Sequence, residues 1–289
     1  MKTTLKAYGK INLSLEITGL LPNGYHSLKT VMQSISLYNR ITVEKNSSGT
    51  ITLSSDDKAL PTDSKNTAFR AAELFLQAAD IKTAGLDIFI EKNVPYQAGM
   101  GSASADAAGV LAAANSLFDD ILPQDELLGI AAKVGADVPF CLIGGTALAE
   151  GIGEKLTALP ALTDCGMLIY HPNKGVSTPE AYRRFDALQD PVQPDCSACA
   201  DAVKSGLLNA VCQSCGNVFE LCCDIPEVFD IKTELLKAGA LSACMTGSGT
   251  AVFGMFENLS TAEAAKLKIN RPEWRSWLAH PVNCGIEFE

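Results

Sequence analysis

Much is missing from this chain, and each absence narrows what it can be. Residues 1–8 hold no apolar core of export-signal length. No run of about 18 apolar residues occurs, so no helical membrane span is expected. Lys and Arg total 23 against 33 Asp and Glu, a formal charge of −10, and no basic stripe interrupts that balance. A nucleic-acid partner is therefore not expected. An anionic small molecule stays open, because a few placed cations outweigh net charge locally. Charged residues are only 19% and hydrophobic ones 47%, a globular composition rather than a disordered one. No solenoid repeat is visible. The chain has no Gly-Lys-Ser/Thr ending to a Walker loop and no third glycine for Gly-x-Gly-x-x-Gly. Its ten cysteines, without an export signal, fit a reducing cytoplasm.

What is present reads as mixed α and β structure. The 289 residues allow one large domain or two ordinary ones. Residues 11–18 alternate apolar and polar, the pattern of a half-buried strand, and a turn follows at 21–24. Further strands are expected near 34–44, 50–54 and 86–91. A helix capped by Asp63 or Ser64 would carry the stripe Ala71, Leu74, Phe75 and Ala78. Another would bury Ala107, Val110, Leu111, Ala114, Leu117 and Phe118, and a third would run from Asp125 to near Gly135. Residues 140–149 read as a strand or hairpin. Residues 151–160 look like a boundary, dividing the chain into domains 1–158 and 159–289. The second half offers a strand at 166–170, a loop over 186–200, helices at 200–213 and 228–239, and a strand at 250–256. The fold class is α+β.

Four segments suggest chemistry. In Pro95-Tyr-Gln-Ala-Gly-Met-Gly-Ser-Ala-Ser-Ala-Asp-Ala-Ala108, strand, small-residue loop and helix N-terminus combine into an anion cradle of the kind that holds phosphate. Lys10 and Asn12 lie two apart on a strand and share its polar face. Asp137, in Gly135-Ala-Asp-Val-Pro139, sits between a helix end and a strand, and Pro139 favours an extended Val138. Thr246-Gly-Ser-Gly-Thr250 admits close backbone approach. Each also has a plainer reading, respectively a packing turn, a solvated face, an Asx turn and a connecting loop. Tyr25, His26 and Tyr182 suit a nucleobase, or simply a core. Cys196-x-x-Cys199 and Cys212-x-x-Cys215 have a spacing resembling a four-cysteine zinc site, although the second pair falls in a helical pattern and cysteine serves elsewhere in this half as a small apolar residue.

Taken together the chain resembles the GHMP kinase superfamily of ATP-dependent small-molecule kinases. The match runs from about residue 6 to 256, through Ala7-Tyr-Gly-Lys-Ile-Asn-Leu13, Asn23-Gly-Tyr-His26, Gly135-Ala-Asp-Val-Pro139, Ala149-Glu-Gly-Ile-Gly153, Gly175-Val-Ser-Thr178 and Thr246-Gly-Ser-Gly249. Asn-Gly-Tyr-His and Gly-Ala-Asp-Val-Pro point to the branch that phosphorylates a cytidyl-erythritol alcohol. The resemblance implies a two-domain fold, with an N-terminal ATP-binding α/β domain and a C-terminal ferredoxin-like α+β domain around a cleft. It implies Asp137 as acceptor of the hydroxyl proton and Lys10 as stabiliser of the moving phosphoryl group. ATP and Mg2+ would be held by Pro95, Gly99, Met100, Gly101, Ser102, Ala103 and Ser104, with Ser102 or Ser104 on the metal and Asn66 and Lys92 near the adenine. Tyr25 and Tyr182 would sandwich the cytosine, with His26 at its edge and Asn12, Gly247 and Ser248 nearby. No resident metal is implied, and a monomer or weak homodimer is. Ser102 and Ala103 stand where that branch usually carries glycines, and Ala105 where it carries a serine. The rival readings are a homoserine or mevalonate-type kinase, a weakened family member, and a zinc-dependent module.

Overall fold

The computed structural model describes residues 1–162 and 164–289. Its frame is a long antiparallel hairpin, β1 (Lys2–Leu20) and β2 (His26–Asn46). After it come β3 (Ile51–Ser55), α1 (Thr67–Ala78), β4 (Gly85–Glu91), α2 (Ser102–Leu117), α3 (Gln124–Val134), α4 (Val138–Ile143), β5 (Thr146–Gly151) and β6 (Lys155–Ala158). The rest contributes β7 (Gly166–His171), α5 (Thr178–Phe185), α6 (Cys196–Ser205), α7 (Leu208–Ser214), β8 (Gly216–Asn217), α8 (Pro226–Lys237), β9 (Ser242–Met245), β10 (Val252–Phe256), α9 (Leu259–Lys268), β11 (Arg275–Ala279) and β12 (Ile286–Phe288).

The length of β2 lets one strand serve two neighbours. Residues 40–46 pair with β4, and residues 28–33 pair with β5. The larger sheet runs β12-β1-β2-β4-β3, with β5, β6 and β8 branching from it. Its first core packs Leu5, Ile41, Leu86 and Ile90 against α1 and α2. Gly109 allows the α2 backbone close to the sheet, since a Cβ there would meet Ile41 at 2.8 Å. The second sheet, ordered β11-β7-β10-β9, is antiparallel throughout. Its strand-helix-strand-strand-helix-strand order is ferredoxin-like. One face packs on α8 and α9, and the other covers the far end of the hairpin at Ile11, Leu13 and Val31. The tail crosses back to the first sheet, where Glu287 takes the Lys6 ammonium and the Tyr8 hydroxyl, each at 2.7 Å.

Several local expectations are corrected. Asn66, not Asp63 or Ser64, caps α1: its side chain accepts from the Ala68 N–H, while Asp63 turns the preceding chain. The buried stripe rotates accordingly to Ala68, Ala71, Ala72, Phe75 and Leu76, leaving Ala78 exposed. Helix α2 is buried on nearly every side rather than along one stripe. The 140–149 segment opens as α4, not as a strand. Pro139 lies in its first turn, where a missing N–H is harmless, and Val138 is helical rather than extended. Gly144, with φ of 74°, ends that helix before β5. Asp195 caps α6 inside the expected loop, and Gly206, with φ of 69°, splits the expected helix at 200–213.

Candidate active site

A cleft of about 1200 Å³ opens between the two sheets. Its wall includes Lys10, Asn12, Tyr25, His26, Pro95, Gly99 to Ser104, Asp137, Tyr182, Gly247 and Ser248. Residues far apart in sequence meet there because the hairpin runs beneath both halves. Arg70 and Lys133 on its wall counter the acidic balance of the chain locally. A shallower recess of about 560 Å³ beside Lys45 and Phe118 contains none of the expected site residues.

The small-residue loop forms one end. Gly101, with φ of 68°, is the N-cap of α2 and has no side chain to cap it. The N–H groups from Gly101 to Ser104 are therefore left for a ligand. The dipole of α2 adds partial positive charge at the same place. The Ser104 hydroxyl lines the cleft and has no partner among the described residues. The loop is fixed from two directions: the Lys10 N–H donates to the Met100 carbonyl at 3.0 Å, and the Ala251 N–H donates to that of Ala98 at 3.3 Å. It also interlocks with the late Gly-Ser-Gly loop. A Cβ on Gly99 would lie 2.0 Å from the Thr246 carbonyl oxygen, and one on Gly247 would lie 2.8 Å from that of Gly99.

At the centre, the Lys10 ammonium stands 3.3 Å from Asp137 Oδ2 and donates to Asn12 Oδ1 at 2.8 Å. Lys10 and Asn12 are not a solvated face. They are 3% and 2% exposed, because the second unit covers that side of β1. Register shifts between Tyr8 and Lys10 and between Asn12 and Ser14 bend the strand here and aim both side chains. Asn12 is held on every side: its Nδ2 donates to Thr30 Oγ1 at 2.8 Å, and its backbone N–H donates to Thr246 Oγ1 at 3.0 Å. Asp137 is the N-cap of α4, between two helices rather than between helix and strand, and its carboxylate makes no cap bond. That leaves a partly exposed carboxylate facing the cleft with an ammonium beside it, an arrangement able to take a proton from an incoming hydroxyl.

The aromatic end differs from the expected gap. His26 is already stacked on Tyr182, with centroids 4.6 Å apart and planes 18° from parallel. Tyr25 is separate and 62% exposed. Asp186 binds His26 Nε2 at 2.7 Å, a partner that no motif had flagged. Burial, with the Asp137 charge adding to it, pushes the Tyr182 phenol up to about 12. Ser248 shares a hydrogen bond with Thr178 at 3.0 Å. Asn217, also unflagged, holds the loop from behind by donating to the Met245 and Gly247 carbonyls.

Three expected residues sit elsewhere or are already engaged. Asn66 spends its side chain on the α1 cap and the Pro61 carbonyl. Lys92 lies behind the loop, paired with Asp106 at 2.6 Å. Ser102 Oγ is taken by Lys92 and the Val94 carbonyl, which leaves Ser104 as the hydroxyl open to a metal. The cysteine spacing does not make a zinc site. Cys196 Sγ turns to Ser14 and the Lys29 carbonyl, Cys215 Sγ turns to the Val211 carbonyl, and no metal-holding group of His, Cys, Asp or Glu exists among the described residues. Burial pushes the thiols of Cys196 and Cys199 up to about 12 and about 11.

Known proteins resemble the chain over most of its length. The pattern of the GHMP kinases N terminal domain matches residues 66–145, and that of the GHMP kinases C terminal matches residues 209–273. A 4-diphosphocytidyl-2-C-methyl-D-erythritol kinase of Clostridium botulinum (strain Eklund 17B / Type B) is 41% identical over 90% of this chain and 92% of its own. One of Desulfitobacterium hafniense (strain Y51) is 41% identical over 96% of each. The crystal structure of a 4-(cytidine 5'-diphospho)-2C-methyl-D-erythritol kinase superposes with a TM-score of 0.81 at 32% identity, covering 97% of this chain and 99% of that one. Homoserine kinase from Cytophaga hutchinsonii shares the fold, with a TM-score of 0.77 at 21% identity over 100% of this chain and 97% of its own.

Proposed function

The chain belongs to the GHMP kinases, in the family of the 4-diphosphocytidyl-2-C-methyl-D-erythritol kinases, and we propose that its cleft carries out that reaction through Lys10 and Asp137. The activity is ATP-dependent phosphorylation of the 2-hydroxyl of 4-diphosphocytidyl-2-C-methyl-D-erythritol (CDP-ME), a step of non-mevalonate isoprenoid precursor synthesis in the cytoplasm. The observation that carries this is the Lys10–Asp137 pair, 3.3 Å apart, in the same cleft as an uncapped helix N-terminus.

ATP supplies an activated phosphoryl group when bound, and the open N–H groups from Gly101 to Ser104 fit its phosphates. The Ser104 hydroxyl, which lines the cleft without a partner among the described residues, would hold the Mg2+ that accompanies ATP. Asp137 accepts the proton of the attacking hydroxyl. Lys10, held by Asn12, offsets the negative charge on the phosphoryl oxygens, so most of the catalysis is positioning and charge. At the other end, Tyr25 covers one face of the cytosine and the His26–Tyr182 stack the other. Asp186, bonded to His26 Nε2, holds the imidazole in that stack.

The test is ATP consumption by the purified chain with CDP-ME, homoserine and mevalonate as acceptors. Turnover with CDP-ME alone is expected. Preferred turnover with either other alcohol contradicts the substrate assignment.

A further inference from the structure

Behind the phosphate loop lies a buried polar cluster with no place in the chemistry above. The Lys92 ammonium reaches Asp106 Oδ2 and Ser102 Oγ, each at 2.6 Å. Asn39 Nδ2 donates to Asp106 Oδ1 at 2.7 Å, and Asn39 Oδ1 accepts the N–H groups of Asn93 and Val94 at 2.9 and 2.8 Å. Ser102 Oγ donates in turn to the Val94 carbonyl at 2.9 Å. Lys92 and Asp106 are both almost wholly buried.

The geometry assigns each group a direction. Residues 102 and 106 are four apart on α2 and therefore share one helix face. That face is bonded to the segment at 92–94 that leaves β4. The Ser102 hydroxyl receives from the ammonium and gives its proton to Val94, so its rotamer is fixed from both sides. A buried ammonium and carboxylate hold such a position only when their remaining sites are filled, and Asn39 and Ser102 fill them. Ser102 stands where the family resemblance leads one to expect glycine, and a glycine could make neither hydroxyl bond.

We propose that Lys92, Asp106 and Ser102 form a buried bolt that presets the α2 N-terminus for the ATP phosphates, with Ser102 as a positioning residue rather than a metal ligand. This rests on the reading of residues 99–104 as the phosphate cradle. The bolt sets where the first-turn N–H groups point before nucleotide arrives, so less ordering remains to be done on binding. The serine is thus a working part of the cradle in this chain.

The test is the dissociation constant of Mg–ATP by calorimetry, without acceptor, for wild type and Ser102→Ala. The KM for CDP-ME and the melting temperature are followed beside it. One charge-assisted hydrogen bond of positioning corresponds to about tenfold in affinity. The expected result is at least about a fivefold rise in the Mg–ATP constant, with the acceptor KM within about twofold of wild type. A smaller rise overturns the proposal even if the melting temperature falls, and so does an equal rise in the acceptor KM, since either marks a purely structural serine. Lys92→Met, where it folds, should move the Mg–ATP constant further in the same direction, and an unchanged constant overturns the proposal. Failure to phosphorylate CDP-ME would sink the functional assignment while leaving the calorimetry to decide on the bolt. A wild type that does not bind Mg–ATP overturns both.

Discussion

Replacing Gly99 by alanine would drive the phosphate loop and the late Gly-Ser-Gly loop apart. The new Cβ would lie 2.0 Å from the Thr246 carbonyl oxygen, whereas ordinary contact begins at 3.4 Å. One loop must therefore retreat by roughly 1.4 Å, the difference between those distances. The φ of 75° adds strain of about 1–2 kcal/mol for any residue with a Cβ. The displacement does not stay local. Thr246 Oγ1 accepts the Asn12 N–H at 3.0 Å, and Asn12 holds the Lys10 ammonium. Misplacing reacting groups by about 1 Å costs on the order of a hundredfold in rate. Gly99→Ala should thus lower kcat/KM by about a hundredfold, equivalent to about 2.7 kcal/mol of transition-state stabilisation. A coupled ATP-consumption assay reads this directly, with circular dichroism confirming the fold. A variant within threefold of wild type would refute the claim that the two loops lock each other in register.

Two further outcomes follow from the buried groups. Lys92→Met leaves the Asp106 carboxylate unpaired in a site where burial already pushes it up, and should destabilise the chain by about 3–5 kcal/mol; thermal melts should show a much larger loss than for Lys82→Met, whose Asp80 partner is exposed. A thiol reagent at neutral pH should modify no more than the four partly exposed cysteines of the native chain, Cys215, Cys222, Cys223 and Cys284, and all ten after unfolding; mass spectrometry showing native labelling of Cys199 or Cys244 would contradict their burial.

The sequence carried the proposed reacting pair more clearly than its surroundings. Lys10 and Asp137 stand in short motifs whose order along the chain is visible directly. The burial of Lys10 and Asn12 was not, because alternation reports one strand's faces and says nothing of a second unit folding over the polar one. Asn12 meets Thr246 across 234 residues, and His26 meets Asp186 across 160, separations at which local patterns carry no signal. The 140–149 segment is a strand only from Thr146 onward, its start being helical, because a short apolar run bounded by glycines suits a buried helix as well as a strand. The cysteine spacing alone could not separate a metal site from packing: spacing fixes distance along the chain, whereas the thiols turn toward different partners. The Lys92–Asp106 pair was half visible, since both residues lie in or beside the loop motif, but their contact depends on α2 packing against the exit of β4.

The central claim is that Asp137 takes the proton from the attacking alcohol while Lys10 holds the charge that moves. Single-turnover phosphorylation of CDP-ME by Asp137→Ala, with Mg–ATP binding measured in parallel, tests it most directly. The account predicts a rate lower by at least about a hundredfold with nucleotide affinity unchanged. A folded variant that phosphorylates at near the wild-type rate would contradict it.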